Sequence, residues 1–384
     1  MKIAFVIERM DQSRGGRETS TAQVAAALAR RGHEVNVLCQ SGSLQADGVT
    51  VMPLGSGGLL PSQRLRRFVA AVEDAARQNR YDVVHATLPV PGANVYQPRG
   101  GTAPAQRAAS LRRHSPLGRL CVVLARRLNY RRRLVAELER QVVGDEPVTC
   151  LAVSEMVARE LEQYYGRTAR VRVVYNAVDV PDPAAEQRAH QRQQARYSLG
   201  VGQKDTVFIT VAKNFELKGV AECIVAFSKW YHSRLRQADS RLVVVGRESP
   251  EGYQRYAGLR DVGRQVVFIP PTKEIFNWYA AADVCILLSW YDPCSRVVLE
   301  ATRWGIPSIT TAYNGAAEVL VGGAGIVVDS PKNMKAVVAA MNELSDPAAR
   351  AVRSRACMQA AGRLSIERHV DELLEAYAEV TRRP

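Results

Sequence analysis

Short apolar blocks alternate with longer stretches of helical spacing along nearly the whole chain. Ile3–Ile7 runs into a polar turn, Asp11-Gln12-Ser13-Arg14-Gly15-Gly16. Val24 and Leu28, with small alanines between them, then carry a helical pattern that stops at Arg31-Gly32, and Val35–Leu38 reads as the next strand. Strand, glycine turn, helix, glycine stop, strand is the grammar of a βαβ unit, whose buried parallel strands are continuous apolar runs. The same alternation predicts a helix near 64–78, strands at Tyr81–Ala86, Cys150–Val153 and Val171–Tyr175, and a helix from Ser154 to Tyr165. It lapses at 181–200, a polar stretch without apolar periodicity before Tyr197, which reads as a linker. Strands are expected again at Val207–Val211, Leu242–Val245, Val266–Ile269, Val284–Leu288, Pro307–Thr310 and Gly325–Val328. Val370, Leu373, Leu374 and Tyr377 then fall at helical spacing in a closing segment from Ile366 to Val380. The pattern predicts an α/β protein of two successive doubly wound domains.

Length agrees, since 384 residues exceed one ordinary hydrophobic core. Charge adds a partner: 52 basic residues against 38 acidic ones leave +14, which points to an anionic surface or substrate. The surplus is local, because residues 99–140 hold eleven arginines and two glutamates. Leu117, Leu120, Cys121, Leu124, Leu128, Val135 and Leu138 keep rough helical spacing through 107–140, with arginines 112, 113, 119, 126, 127 and 131–133 between them. A single-stranded nucleic-acid surface wants aromatic side chains for stacking, and only Tyr130 is present, so no nucleic acid is expected. A plain solvated face is one alternative. A patch for anionic lipid or a phosphorylated glycolipid is favoured, because a basic amphipathic segment gains from burial and from charge. Seven scattered cysteines (39, 121, 150, 223, 285, 294, 357) with no CxxC point to a reducing compartment. Five apolar residues precede the first charged pair after Lys2, and no apolar run approaches the ~18 residues of a membrane span. A cytoplasmic protein without a signal peptide, peripheral on the inner membrane face, is the expectation.

Candidate chemistry sits in two turns of the second half. Lys213-Asn214-Phe215-Glu216-Leu217-Lys218-Gly219 links a strand to a helix pattern, where backbone N–H groups and the helix dipole favour phosphate. GxGxxG, GxxxxGK[ST] and HExxH are all absent, which removes the dinucleotide, P-loop and zincin readings. Leu287-Leu288-Ser289-Trp290-Tyr291-Asp292-Pro293-Cys294-Ser295-Arg296 runs from a strand through a proline-containing loop into a helix carrying Glu300. A helix N-terminus there can bind diphosphate and a carboxylate inside the first turns can hold a diol. By spacing alone, Asp292 as a helix cap and Glu300 as a surface acid stand equally open.

This segment, with Thr302-Arg303-Trp304-Gly305-Ile306-Pro307 after it, resembles the donor-site signature of family 4 glycosyltransferases, an acid-x7-acid pair followed by Ala and then Gly-x-Pro. Gly15-Gly16, Arg31-Gly32-His33-Glu34-Val35, Val153-Ser154-Glu155, Val174-Tyr175-Asn176-Ala177-Val178-Asp179 and Ala280-Ala281-Ala282-Asp283-Val284 agree in order, so the resemblance covers nearly the whole chain. It implies a GT-B fold, two Rossmann-like domains with a cleft between them. An acceptor-side domain over 1–180, a linker over 181–200, a nucleotide-sugar domain over 201–365 and a helix at 366–384 returning to the first domain are the expected divisions. The implied activity is retaining transfer of a glucose-type hexose from a UDP-sugar to a lipid-linked or lipopolysaccharide-core acceptor. No metal and no other cofactor is expected.

By the resemblance, Lys218 neutralises the diphosphate, Asp292 contacts the donor sugar and Glu300 binds the ribose. The N–H groups of Cys294, Ser295 and Arg296 cradle phosphate and sugar, and Gly15 and Gly16 let a helix N-terminus approach them. Lys213 or Arg296 replaces the arginine that usually accompanies the lysine, because Glu216 or Leu217 stands near that place. The first acid is Asp292 where Glu is usual, and Asn176-Ala177 stands for asparagine-glycine. Pro89–Gly101 and the Pro-Cys-Ser-Arg loop look most like the lipopolysaccharide-core glucosyltransferase branch, which makes Asn94 and Arg99 acceptor candidates, while His85 at the strand end stands open as an acceptor or donor-sugar contact or equally as a structural histidine. Two alternatives remain: a GT-B enzyme with a soluble sugar or sugar phosphate acceptor, and a non-catalytic basic protein on the same scaffold.

Overall fold

The structure is a computed structural model that describes all residues except 12–14, 45, 56, 115–117, 120–122, 124–128, 234–238 and 383–384. The chain forms two compact units, Met1–Ala177 with Ser365–Pro384, and Val178–Leu364. Of the arginine-rich stretch, Leu117, Leu120, Cys121, Leu124, Arg126, Arg127 and Leu128 lie outside the described residues.

In the first unit the strands are β1 (Lys2–Val6), β2 (Arg9–Met10), β3 (Glu34–Cys39), β4 (Ser41–Gly42), β5 (Val49–Pro53), β6 (Val83–Ala86), β7 (Val95–Tyr96), β8 (Thr149–Ala152) and β9 (Val171–Val173). The helices between them are α1 (Gly16–Arg30), α2 (Pro61–Asn79), α3 (Ala103–Arg113), α4 (Tyr130–Gly144) and α5 (Glu155–Tyr165). Seven strands form one parallel sheet in the order β5-β3-β1-β6-β7-β8-β9, while β2 and β4 pair separately. Successive side chains of a strand face opposite ways. Ile3 and Phe5 accordingly join Val24 and Leu28 of α1 in one core cluster. Ala4 and Val6 join Leu65, Phe68 and Val72 of α2 in the other.

The second unit contains α6 (Ala185–Ser198), β10 (Val207–Ala212), α7 (Val220–His232), β11 (Arg241–Gly246), α8 (Glu251–Gly258), β12 (Val266–Ile269), α9 (Ile275–Ala281) and β13 (Val284–Leu287). It continues with α10 (Arg296–Arg303), β14 (Ser308–Thr311), β15 (Gly325–Val328), α11 (Met334–Ser345) and α12 (Pro347–Ala360). The sheet is parallel in the order β12-β11-β10-β13-β14-β15. Ranked along the chain this is 3-2-1-4-5-6, the doubly wound order. Its winding reverses between β10 and β13, where Phe208 pairs with Val284. The first unit reverses in the same way between β1 and β6. In such sheets ligands bind outside the carboxyl ends of the strands at the reversal. The last helix, α13 (Ile366–Thr381), packs against α1 and buries Val370, Leu373 and Tyr377 in the first unit.

The stretch read as a linker is corrected here: 185–198 is a helix of the second unit. Polar bonds dock it, so no apolar stripe marks it in the sequence. Arg192 donates to the carbonyls of Ala280, Ala281 and Ala282 at 3.0, 3.2 and 3.1 Å and to Asp283 Oδ1 at 2.6 Å. Arg196, buried, reaches Asp283 Oδ2 at 3.0 Å, an oxygen that also accepts from the Val207 N–H at 2.9 Å. Asp283 thereby ties α6 to the starts of β10 and β13.

Candidate active site

The turn leaving β10 folds on itself before α7 begins. Asn214 Oδ1 accepts from the Leu217 N–H at 2.6 Å, and Glu248 accepts from the Phe215 N–H at 2.9 Å. Phe215 is buried and anchors the turn in the core. The turn ends at Gly219, whose φ is +68° and where a Cβ would stand 2.1 Å from the Leu288 carbonyl oxygen. Only glycine combines that conformation with that approach. The Trp290 N–H donates to the Leu217 carbonyl at 3.0 Å, which locks this turn onto the chain leaving β13.

That second loop is held from the other side by β14. The Asp292 N–H donates to the Tyr313 carbonyl at 2.9 Å and the Gly315 N–H to the Asp292 carbonyl at 2.8 Å. Asn314, buried, accepts at Oδ1 from the N–H groups of Ser295 (3.3 Å) and Ala316 (3.0 Å), and donates to Thr310 Oγ1 at 2.9 Å. These bonds aim the Asp292 carboxylate at Lys218, whose ammonium pairs with Asp292 Oδ2. Asp292 is nearly buried and Lys218 is half-buried, so the pair is poorly screened.

Cys294 and Ser295 are buried at the entry to α10, and Arg296 is its first residue. Glu300, one turn on, pairs with Arg296 at 3.4 Å and accepts the Tyr279 hydroxyl at 3.2 Å. Burial pushes the Glu300 carboxyl above its ordinary range, and Arg296 and Tyr279 pull it back. Lys213 stands exposed at the start of the β10 turn. Lys218, Asp292, Cys294, Ser295, Arg296 and Glu300 are thus gathered around the carboxyl ends of β10 and β13.

The remaining expected site residues lie in the first unit. Gly15 has φ +147° and caps α1, which begins at Gly16, and the Gly15 carbonyl accepts from the Thr19 N–H at 3.2 Å. Gln12, Ser13 and Arg14 of that turn lie outside the described residues. Arg99, buried after β7, donates through Nε to Gln97 Oε1 at 2.6 Å and through a terminal nitrogen to Thr21 Oγ1 at 2.8 Å.

His85 takes its structural alternative, and Asn94 departs from the expected acceptor role. His85 has no exposed surface; Nε2 lies 3.2 Å from Gln97 Oε1 and Nδ1 lies 2.6 Å from the Tyr377 hydroxyl. Since a carboxamide oxygen only accepts, Nε2 carries the proton and Nδ1 accepts from Tyr377. Burial, with Arg99 and His369 nearby, holds the ring well below the ordinary histidine range, so it is an interior neutral imidazole. Asn94 accepts from the Val84 N–H at 2.8 Å and donates to the Asp82 carbonyl at 3.0 Å. It fastens the amino-terminal end of β6, away from the carboxyl ends where ligands collect.

Comparison with known proteins bears on this arrangement. Residues 14–181 match Glycosyltransferase Family 4 and residues 191–360 match Glycosyl transferases group 1. The crystal structure of WaaG, a glycosyltransferase involved in lipopolysaccharide biosynthesis, superposes with a TM-score of 0.81 over 97% of this chain and 98% of that one, at 21% identity. The chain belongs to the GT-B glycosyltransferases. Its sequence is 28% identical to a D-inositol 3-phosphate glycosyltransferase of Acidothermus cellulolyticus, over 94% of this chain and 85% of that protein. It is 25% identical to the lipopolysaccharide glucosyltransferase WaaG of Escherichia coli, over 83% of this chain and 82% of that protein. HepE of Anabaena, solved with UDP-glucose, shares the fold at a TM-score of 0.70 and 18% identity, over 99% of this chain and 100% of that one.

Several residues that shape the site of this glycosyltransferase escaped sequence reasoning. Asn314 is the bracket of the second loop, and its one signal was an Asn-Gly pair after an apolar strand, which reads as a bare turn. Tyr279 supports Glu300 from α9, 21 residues upstream, and has no motif of its own. Glu222, on the first turn of α7, accepts the Trp290 indole N–H at 3.2 Å, and the Lys332 ammonium stands 5.4 Å from that ring. In the first unit the buried Glu139 accepts from the Ala103 N–H and the Tyr96 hydroxyl, both at 2.6 Å, and so fixes the start of α3. Among the described residues no helix is long and apolar enough to cross a membrane.

Proposed function

We propose that this glycosyltransferase moves a glucose-type hexose from a UDP-sugar to a lipid-linked or lipopolysaccharide-core acceptor, with retention at the anomeric carbon and without a metal. The observation that carries the donor half is the Lys218–Asp292 pair beside Arg296 and Glu300 at the sheet reversal. On this reading Lys218 turns to the diphosphate, Asp292 to the sugar hydroxyls and Glu300 to the ribose. The C1–O bond to the diphosphate breaks as the acceptor oxygen bonds C1 on the same face, and the acceptor proton passes to the leaving phosphate oxygen. Lys218 and the N–H groups at the start of α10 stabilise the charge that develops there. Lys213 or Arg296 supplies the second positive charge. Gly15, Gly16 and Arg99 belong to the acceptor-side unit of the same reading.

The test is transfer of labelled glucose from UDP-glucose to a truncated lipopolysaccharide acceptor, with chelator present. Lys218→Ala lowers kcat by about 10²–10³, as loss of one transition-state donor does elsewhere. An unchanged rate in that variant overturns the assignment. Lys213→Ala costs nearly as much if Lys213 is the second cation, and full activity removes it from that role.

A water-soluble phosphorylated acceptor is the second reading, favoured by the D-inositol 3-phosphate glycosyltransferases among the relatives. The label then partitions into water instead of the lipid phase. The membrane-surface part of the first reading rests on two helices that pack together, α2 and α4. Leu59 is 91% exposed just before α2, which carries exposed Arg64, Arg66 and Arg67, while α4 presents exposed Tyr130, Arg132 and Arg133. Apolar tips among arginines suit the inner, anionic face of a membrane bordering the cytoplasm. Binding to anionic vesicles at low salt that weakens at high salt is expected, and no binding at low salt contradicts it.

A further inference from the structure

A cavity of about 270 Å³ opens in the second unit at the amino-terminal ends of β13 and β14. It lies at the opposite end of those strands from Asp292 and Asn314. Arg188, Arg192, Arg350, Asp283 and Trp304 line it. Its charge is unbalanced. Asp283 is already engaged by Arg192 at 2.6 Å and Arg196 at 3.0 Å, and it pairs at 4.0 Å with Arg350, whose Nη1 donates to the Leu344 and Ser345 carbonyls at 3.0 and 2.7 Å. Among the described residues Arg188 contacts no carboxylate; it lies over the Trp304 ring at 4.6 Å and donates to the Trp304 carbonyl. Asp182 and Asp346 stand near Arg188 and Arg350 respectively. Asp346 is committed to capping α12 through the N–H groups of Ala348 and Ala349.

A half-buried guanidinium that contacts no carboxylate, as at Arg188, is costly. A tetrahedral oxyanion suits such a place, because guanidinium forks donate and never accept.

We propose that this cavity is a binding site for a phosphate monoester, held by Arg188 and Arg350 and separate from the donor site. The volume admits a phosphate with a small attached group and is below the usual range for a whole nucleotide sugar. Free orthophosphate and the phosphate of a small sugar share the recognised chemistry.

The experiment titrates full-length protein with orthophosphate and with glucose 6-phosphate, each against chloride at matched ionic strength, and follows tryptophan fluorescence. A saturable change is expected. It persists in Lys218→Ala, which disables the proposed donor site, and is lost from the signal in Trp304→Phe. Ala351, exposed and lining the cavity, is replaced by Glu so that a carboxylate enters and competes. Ala351→Glu weakens binding by about tenfold or more, the worth of a charge-assisted bond, while leaving the fold intact. Tighter binding of the sugar phosphate identifies an ester, and equal binding identifies free phosphate; either supports the site. No saturable change, or a change lost in Lys218→Ala and kept in Ala351→Glu, overturns it.

Discussion

Glu300 is a carboxylate held out of water between one cation and one hydroxyl. Burial raises its proton affinity, so its ionised form depends on Arg296 and on the Tyr279 hydroxyl. Glu300→Gln is expected to weaken UDP binding by about tenfold to a hundredfold, the range for losing hydrogen bonds to a charged group, measured by calorimetry. Tyr279→Phe weakens it less. His85 gives a second consequence at this scale. Its ring binds a proton less readily folded than unfolded, where the ordinary value is 6.5. The unfolded chain therefore takes up the extra proton as pH falls through 6.5, and stability drops below that pH and is fully present above it. The slope is at most about 1.4 kcal/mol per pH unit for one group. Denaturant unfolding from pH 7.5 to 5 measures it, and a His85→Asn variant loses that share of the slope.

At the scale of the elements, the β10 turn depends on one atom's absence. Gly219→Ala places a methyl against the Leu288 carbonyl at a positive φ. The cost expected is about 2–4 kcal/mol, from backbone strain and overpacking together. Gly252→Ala, inside α8 with nothing near, is the control and is expected to be neutral or stabilising. Thermal unfolding of the two variants separates position from residue type. The same contrast explains what the sequence disclosed. Apolar strands such as Val284–Leu287 and the amphipathic α2 were legible because burial writes a periodic signal. The helix α6 was not, because arginine-to-carbonyl bonds dock it and leave no stripe. Asp292 and Glu300 were legible as a spaced pair, whereas Asn314 and Tyr279 act through single hydrogen bonds that no spacing records. His85 stayed ambiguous and Asn94 misled because a polar residue near a strand end looks alike whether it faces a ligand or the interior.

Across the whole molecule, each unit has its own parallel sheet and its own core. Asp283 concentrates the electrostatics of the second unit on one carboxylate. Asp283→Ala leaves Arg192, Arg196 and Arg350 without this counter-charge and is expected to cost about 3–5 kcal/mol. Hydrogen exchange locates the damage: amide protection falls within 178–364 and holds within 1–177. Equal loss in both ranges contradicts the assignment of Asp283 to one unit. The first unit carries the arginine surplus, while the pair at Lys218 and Asp292 sits in the second.

That pair also makes the protein its own competitor. Lys218 already has an anion, supplied by the chain, so under the proposed function an incoming diphosphate is an exchange of one counter-ion for another. Affinity for UDP is then a difference between two attractions, and the displaced carboxylate is released only when the donor arrives. Asp292→Asn removes the internal rival: it is expected to tighten UDP binding by about tenfold while lowering turnover, so that the variant holds product better and makes less of it.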